Sequence, residues 1–415
     1  MIKSSEIWLV LALFGAAGCS GDDAKADDAA AGRGQGGANV NAGSGTGGAN
    51  AGTSTSSGGT TSGGGGKAGL GGTSGGPVTS GGVTGDPGTG GWVNVTGTLA
   101  GLPSRCGNVS FVSVKPDEDR LLVTIGDQGI FSSLDGAATW TKLGTGAGSD
   151  KITTVPGFIS YDPEDTNTYY VSGIYGFPGI YKTTDNGSTF HGLGAIGHND
   201  GMSVDYSDPA RKVMLAGGHE QTHTVYRSED GGMNWTNVGV NLPEDSATSS
   251  FPYVVNAQVH LVGCFGPGTP GIYRSIDSGE SWARVSEIGG GHEPLRHSDG
   301  SLYWSSWDLA GMARSTNDGE TWDVVTGPGI VYTVHPIELP DGRIATRGPA
   351  GILVSADHGH SWVNVAPPEP FADPFRVFAL AYSKGAKAFY VIRWTCDPTA
   401  VPDDGVVKYE WDYEQ

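Results

Sequence analysis

The chain has 415 residues, room for two or three average domains, and carries 44 acidic against 24 basic side chains for a net charge of −20. That balance excludes nucleic acid and an anionic membrane surface as partners by charge. Glycine reaches 71 residues while only 16% are charged, which points to many turns or a flexible tract, and the 4 cysteines are too few for a disulfide-built scaffold.

Residues 1–19 begin with Lys3, continue through the apolar run Ile7 to Phe14, and end on small residues before Cys19. The run is too short to span a bilayer stably and reads as an export signal. The small-residue approach to Cys19 resembles a bacterial lipoprotein signal, with Ala16 where leucine is favoured. The resemblance implies a signal over residues 1–18, a lipid on Cys19 and an outer-membrane or cell-surface location. Ordinary cleavage would instead leave a secreted soluble protein.

Residues 20–91 contain 27 glycines and no Phe, Trp or Tyr. Such a segment cannot bury enough apolar surface to offset its ordering entropy. Residues 19–90 are therefore expected to form a disordered tether with an r.m.s. reach of roughly 45–50 Å. From Trp92 onward the composition changes: 36 of the 38 aromatic residues lie in residues 92–415. A folded domain over residues 91–415 follows.

That domain repeats one pattern six times: an apolar pair, then Ser/Thr-x-Asp-x-Gly-x-Ser/Thr-Trp/Phe. The leading hydroxyl residues are Ser133, Thr183, Ser228, Ser275, Ser315 and Ser355, spaced 50, 45, 47, 40 and 40 residues apart. Ala137 replaces the glycine of the first copy and Asn317 the aspartate of the fifth. The pattern describes a hairpin turn in which Asp accepts backbone N–H bonds and Gly adopts a positive φ. Asp135, Asp185, Asp230, Asp277 and Asp357 are thus structural. Before each turn lie two stretches of alternating apolar residues, as in residues 158–161 with 169–171 and 202–206 with 212–216. Four strands per ~45 residues is a propeller blade.

The repeat resembles the Asp-box (BNR) motif of sialidases, sortilin-type receptors, xyloglucan-cleaving propellers and photosystem assembly factors. Three further strands, residues 376–382, 388–392 and 405–411, lack a fourth. Gly91 to Val95 supplies it, nearly repeating Ser361 to Val365. The expected fold is all-β, a seven-bladed propeller of four-stranded antiparallel blades whose last blade is closed by the N-terminal strand. Six blades is the alternative.

Propellers bind ligands at one end of the central channel, opposite the repeat turns. Repeat phase places at that end Arg105, Asp127, Lys151, Tyr175, Asp373 and Asp397. Candidate catalytic residues there are Asp200, Glu220, Glu293 and Asp308 as acids and His198, His219 and His223 as bases. Candidate substrate-binding residues are Tyr253, His292, Trp307, Arg347, Arg376, Arg393 and Trp394. His297 is assigned to the same end, His335 beside it and His260 to mid-strand. Residues 219–223 spell H-E-x-x-H, but Gly217-Gly218 before it and a strand after it leave no room for the helix that a zinc protease needs. No cofactor is firmly implied; a loop metal on His198 with His219 or His223 remains open. Cys106 and Cys396 fall in neighbouring blades on this end, which suggests a disulfide, leaving Cys264 as a buried thiol.

The Asp-box resemblance implies a glycan-directed protein outside the cell, with a polysaccharide or glycoconjugate as partner and a monomer as the working unit. The first reading is a glycoside hydrolase, which needs a general acid and a second carboxylate. A true sialidase is disfavoured, because no Arg-Ile-Pro occurs and Leu102-Pro-Ser-Arg105 is a poor substitute. Xyloglucan enzymes pair two propellers, and this sequence carries the repeats of one. The second reading is a polysaccharide lyase, with a His or Tyr base and an Arg or metal to neutralise a uronate. The third is a non-catalytic glycan- or protein-binding module.

Overall fold

The computed structural model describes residues 83–84, 90–104, 109–370, 379–393 and 405–414. Seven sheets form a seven-bladed propeller. Blade one holds Val109–Val114, Leu121–Ile125, Gly129–Ser133 and Thr141–Lys142. Blade two holds Pro156–Tyr161, Tyr169–Gly173, Ile180–Thr183 and His191–Leu193. Blade three holds Asn199–Val204, Met214–Gly218, Val225–Ser228 and Thr236–Asn237. Blade four holds Thr248–Val254, His260–Phe265, Gly271–Ser275 and Ala283–Ser286. Blade five holds Leu295–Arg296, Leu302–Ser305, Met312–Ser315 and Asp323–Thr326. Blade six holds Ile337–Glu338, Ile344–Gly348, Gly351–Ser355 and Trp362–Ala366.

Blade seven joins Ala379–Ser383, Ala388–Ile392 and Val406–Glu410 to the N-terminal strand Val93–Asn94, which pairs antiparallel with Lys408 and Val407. The closure expected from Gly91 to Val95 is therefore present, and the six-blade alternative falls. Trp92 seals it, donating its indole N–H to the Pro367 carbonyl at 2.8 Å and lying 5.3 Å from the Tyr409 ring. Val83–Thr84, within the stretch assigned to the tether, adds in parallel to Trp362 and Val363 of blade six.

The core is a set of layers between blades rather than one central mass. Leu122 and Ile130 of blade one meet Tyr169 and Val171 of blade two. Tyr170 and Ile180 of blade two meet Met202 and Met214 of blade three, and the series continues round to Val123 against Ala381 and Tyr390. Middle strands are buried on both faces, which is why Leu121–Ile125 and Ala388–Ile392 are apolar nearly throughout instead of alternating.

The six repeat turns share one hydrogen-bond pattern. The leading hydroxyl accepts the N–H four residues on, from Ala137, Gly187, Gly232, Gly279, Gly319 and Gly359, at 2.8–3.0 Å. One oxygen of the Asp or Asn side chain accepts a second backbone N–H, as from Thr139 at 2.9 Å and Ser361 at 2.8 Å. Asn317 keeps that bond to Thr321 and reverses the other, its amide donating to Thr321 Oγ1. Two terminal tryptophans then reach back to the preceding blade: Trp140 donates to the Val95 carbonyl and Trp235 to that of Leu193, both at 3.0 Å.

Candidate functional site

The strands of all blades converge on a cavity of about 200 Å³ in the channel, at the end opposite the repeat turns. Phe111, Phe158, Phe251, Phe265 and Trp307 form much of its wall; Asp200, His219, Glu220, His292, Glu293 and His335 are its polar lining. Trp307 stacks on Phe265 with ring centroids 4.5 Å apart.

Blade three builds the first half of the polar group. Its inner strand is irregular between Asn199 and Met202, and such a bulge re-aims the side chains within it. Asp200 sits there. A Cβ on Gly217 would lie 2.0 Å from the Ser250 carbonyl oxygen, so glycine alone allows blades three and four this close. His219 follows that glycine pair, its N–H on the His198 carbonyl at 2.9 Å, and its Nδ1 lies 2.7 Å from Asp200 Oδ1. The carboxylate can only accept, so Nδ1 carries the hydrogen. Burial pulls the His219 pKa down, and the Asp200 hydrogen bond and charge outweigh it, for a net rise. The Tyr175 and His198 rings stand edge-on to His219 at 4.9 and 4.8 Å. Tyr175, His198, Glu220 and His223 all have positive φ, a concentration of backbone strain around one corner of the channel.

Blades four to six build the second half. A Cβ on Gly290 would meet Trp304 Cε2 at 2.3 Å, so the loop lies flush on that indole and delivers His292 and Glu293 to the channel. Trp304 Nε1 donates to the His292 carbonyl. The Glu293 carboxyl makes no hydrogen bond or ion pair with any described residue. Protein atoms displace water around it, and burial pushes its pKa up to about 8. Burial takes the pKa of His292 down to about 4 and also lowers that of His335, which favours the neutral form of both rings. His335 Nδ1 donates to the Glu293 carbonyl at 2.8 Å.

Other candidates from the sequence sit elsewhere. Arg347 is buried in a bidentate pair with Glu369 at 2.9 and 3.0 Å, beneath the Tyr332 ring; its guanidinium is committed to the protein. His223 turns away to the Pro243 carbonyl at 3.0 Å. Asp308 is exposed on a turn, held by Ser306 and the Ala310 N–H, outside the cavity lining. Tyr253, one residue from the far end of its strand, feels the charges of Arg296, Glu293 and Asp318, the last in the fifth repeat turn. His297 belongs to the repeat-turn end, between Asp299 at 2.9 Å and the Gly342 carbonyl at 2.8 Å. His260 opens its strand and accepts from Arg227 Nε. Arg393 follows the second strand of blade seven, and Arg393, Asp127 and Lys151 all lie outside the cavity lining. Cys264 is a buried free thiol. Cys19, Arg105, Cys106, Asp373, Arg376, Trp394, Cys396 and Asp397 lie outside the described residues.

Residues 219–223 form turns, not a helix. His198 Nδ1 accepts the Tyr175 N–H at 2.9 Å, which leaves the hydrogen on Nε2 and makes that ring a poor metal ligand. Among the described residues no group of three or more His, Cys, Asp and Glu is gathered to hold a metal. The phenylalanine walls were missed by the sequence reading, which sorted polar residues only; apolar residues at channel-facing positions of inner strands were the available signal.

No family model matches the chain. A stretch of 189 residues, 42% of the chain, is 27% identical to the "probable oligoxyloglucan-reducing end-specific xyloglucanase" of Neosartorya fischeri, of which it covers 21%. The chain thus spans about a fifth of that relative's length. Among solved structures, the WD40 propeller domain of Doa1 superposes with a TM-score of 0.51 at 15% identity, over 78% of this chain and 98% of that one. The GH74 xyloglucanase of Xanthomonas campestris gives 0.46 at 20% identity, over 76% and 55%. The fold is that of a propeller by likeness as well as by topology.

Proposed function

We infer that the chain is a glycan-directed propeller that hydrolyses a glycosidic bond in the channel. One observation carries this: the Glu293 carboxyl, its pKa pushed up by burial, and the hydrogen-bonded Asp200–His219 pair line the same cavity. Environments that push acid and base apart mark the proton donor and its counterpart. Glu293 protonates the leaving oxygen. Asp200, held by His219, is the second carboxylate and takes the proton of the attacking water, and the aromatic wall packs against the sugar ring. The cavity is smaller than the ~300–1,000 Å³ of drug-sized pockets, so it takes a single ring unit at a time. The stretch shared with a xyloglucanase and the Asp-box repeats support a glycan as substrate. Arg347 is spent on Glu369 and is not free to neutralise a uronate, which weighs against elimination. The N-terminus supports export, with a lipid on Cys19 and the glycine-rich stretch after it as tether.

Mass spectrometry of products from the full chain tests this, with neutral, amino-sugar, uronic and sialylated glycans as substrates. Products heavier by one water are expected, and Glu293→Gln abolishes them. Unsaturated products would replace hydrolysis with elimination, and retention without any product would leave a binding module.

A further inference from the structure

The polar groups open to the channel have fixed hydrogen-bonding senses. His335 Nδ1 donates to a carbonyl, so in this neutral ring Nε2 is a bare lone pair. His219 Nδ1 donates to Asp200, so its Nε2 is also a lone pair in the neutral ring. That nitrogen is buried without a hydrogen-bond partner, on a side chain with only 10% of its surface exposed. Glu220 Oε1, on a carboxylate that is mostly in solvent, stands 3.8 Å from it. Buried polar atoms without partners are costly and rare. One donor is missing, at one place, between two acceptors.

We propose that the missing donor is a protonated amine on the sugar ring, held between His219 Nε2 and Glu220, so that the substrate class is an amino sugar. An ammonium group has three N–H bonds, and two of them reach acceptors ~2.9 Å away that are themselves 3.8 Å apart. A hydroxyl has one hydrogen and satisfies one of the two. A carboxylate brings further lone pairs to a place already holding those of His219, Glu220 and His335. Charge agrees: the Asp200 and Glu220 carboxyl groups line the cavity, and no Lys or Arg does among the described residues. The walls offer aromatic faces to a cation, and the net charge of −20 draws cations toward the protein. The sugar rests on the glycan-directed reading above; the amine rests on the cavity alone. The charged and titratable groups around His219 are Asp200, Glu220 and His198, with Tyr175 against its ring. A protonated His219 competes with the ligand's ammonium, so binding expels a proton from the ring.

Calorimetry on the full chain, with D-glucosamine, N-acetyl-D-glucosamine, D-glucuronate and cyclohexylamine as probes, decides the matter. Glucosamine is expected to bind about tenfold or more tighter than its N-acetyl form, with glucuronate silent. Glu220→Gln, at a mostly exposed side chain, is expected to remove that advantage and leave the N-acetyl form unchanged. Equal or tighter binding of glucuronate or the N-acetyl sugar overturns the proposal, as does binding of none of the four at about 10 mM. Cyclohexylamine binding as tightly as glucosamine, with no glycan cleaved, upholds the amine site and removes the glycan reading. Cleavage of neutral glycans with no preference for the amine does the reverse.

Discussion

The two ends of the ring use carboxyl groups in opposite ways. At the repeat-turn end each Asp is wrapped in donors: Asp135 accepts from Ser133, the Thr139 N–H and the Thr139 hydroxyl. Those bonds, led by the Thr139 hydroxyl, pull its pKa down to about 2, and the Asn234 side chain and backbone do the same for Asp230. At the channel end Glu293 meets no donor among the described residues, and burial drives its pKa up to about 8. The same functional group has its pKa lowered at one end and raised at the other. The difference is whether folding surrounds it with hydrogens or only removes water.

The largest expected effect separates the ends by activity. Glu293→Gln should lower kcat/KM for glycan hydrolysis by about 10²–10⁴-fold with an unchanged melting profile at pH 5. Loss of stability instead of activity would make Glu293 a structural residue. Next comes the buried pair beside the channel: Arg347→Met strands Glu369 and should cost about 3–5 kcal/mol in denaturant unfolding. A loss below 1 kcal/mol would mean that the arginine is free for ligands.

The pH response sharpens the contrast. Glu293 has a folded pKa above its unfolded value of 4.5, so its contribution is fully present below pH 4.5 and is lost as pH rises toward 8. Asp135 and Asp230 have depressed values, so theirs is present above pH 4 and lost as pH falls toward 2. Glu293→Gln should therefore melt higher than the parent at pH 8, with the gap closing by pH 5. Hydrolysis should decline above pH 8 as the acid ionises.

Smaller effects belong to the turns. Asp357→Ala removes acceptors for Ser355 and for both the N–H and hydroxyl of Ser361. It should cost about 1–2 kcal/mol with kcat/KM unchanged. Asn317→Asp restores the carboxylate of the other turns and should stabilise by about 0.5 kcal/mol; a destabilisation would mean that Asp318 beside it repels the new charge.

The sequence by itself determined the blade count, the repeat turns and the closing strand. These depend on contacts within eight residues, or on a strand of matching pattern, as Gly91 to Val95 matches Ser361 to Val365. Repeat phase, which orders loops, also assigned Asp200, His219, Glu220, His292, Glu293 and Trp307 to one end, and the structure lines one cavity with them. Only the tertiary structure decided that Arg347 is spent on Glu369, that His223 turns to Pro243, and that Tyr253 and His297 belong toward the far end. It alone showed that the Glu293 carboxyl lies where burial raises its pKa, with no hydrogen-bond donor among the described residues. Its surroundings come from inner strands and loops far apart in the chain, and water is excluded only once the ring has closed.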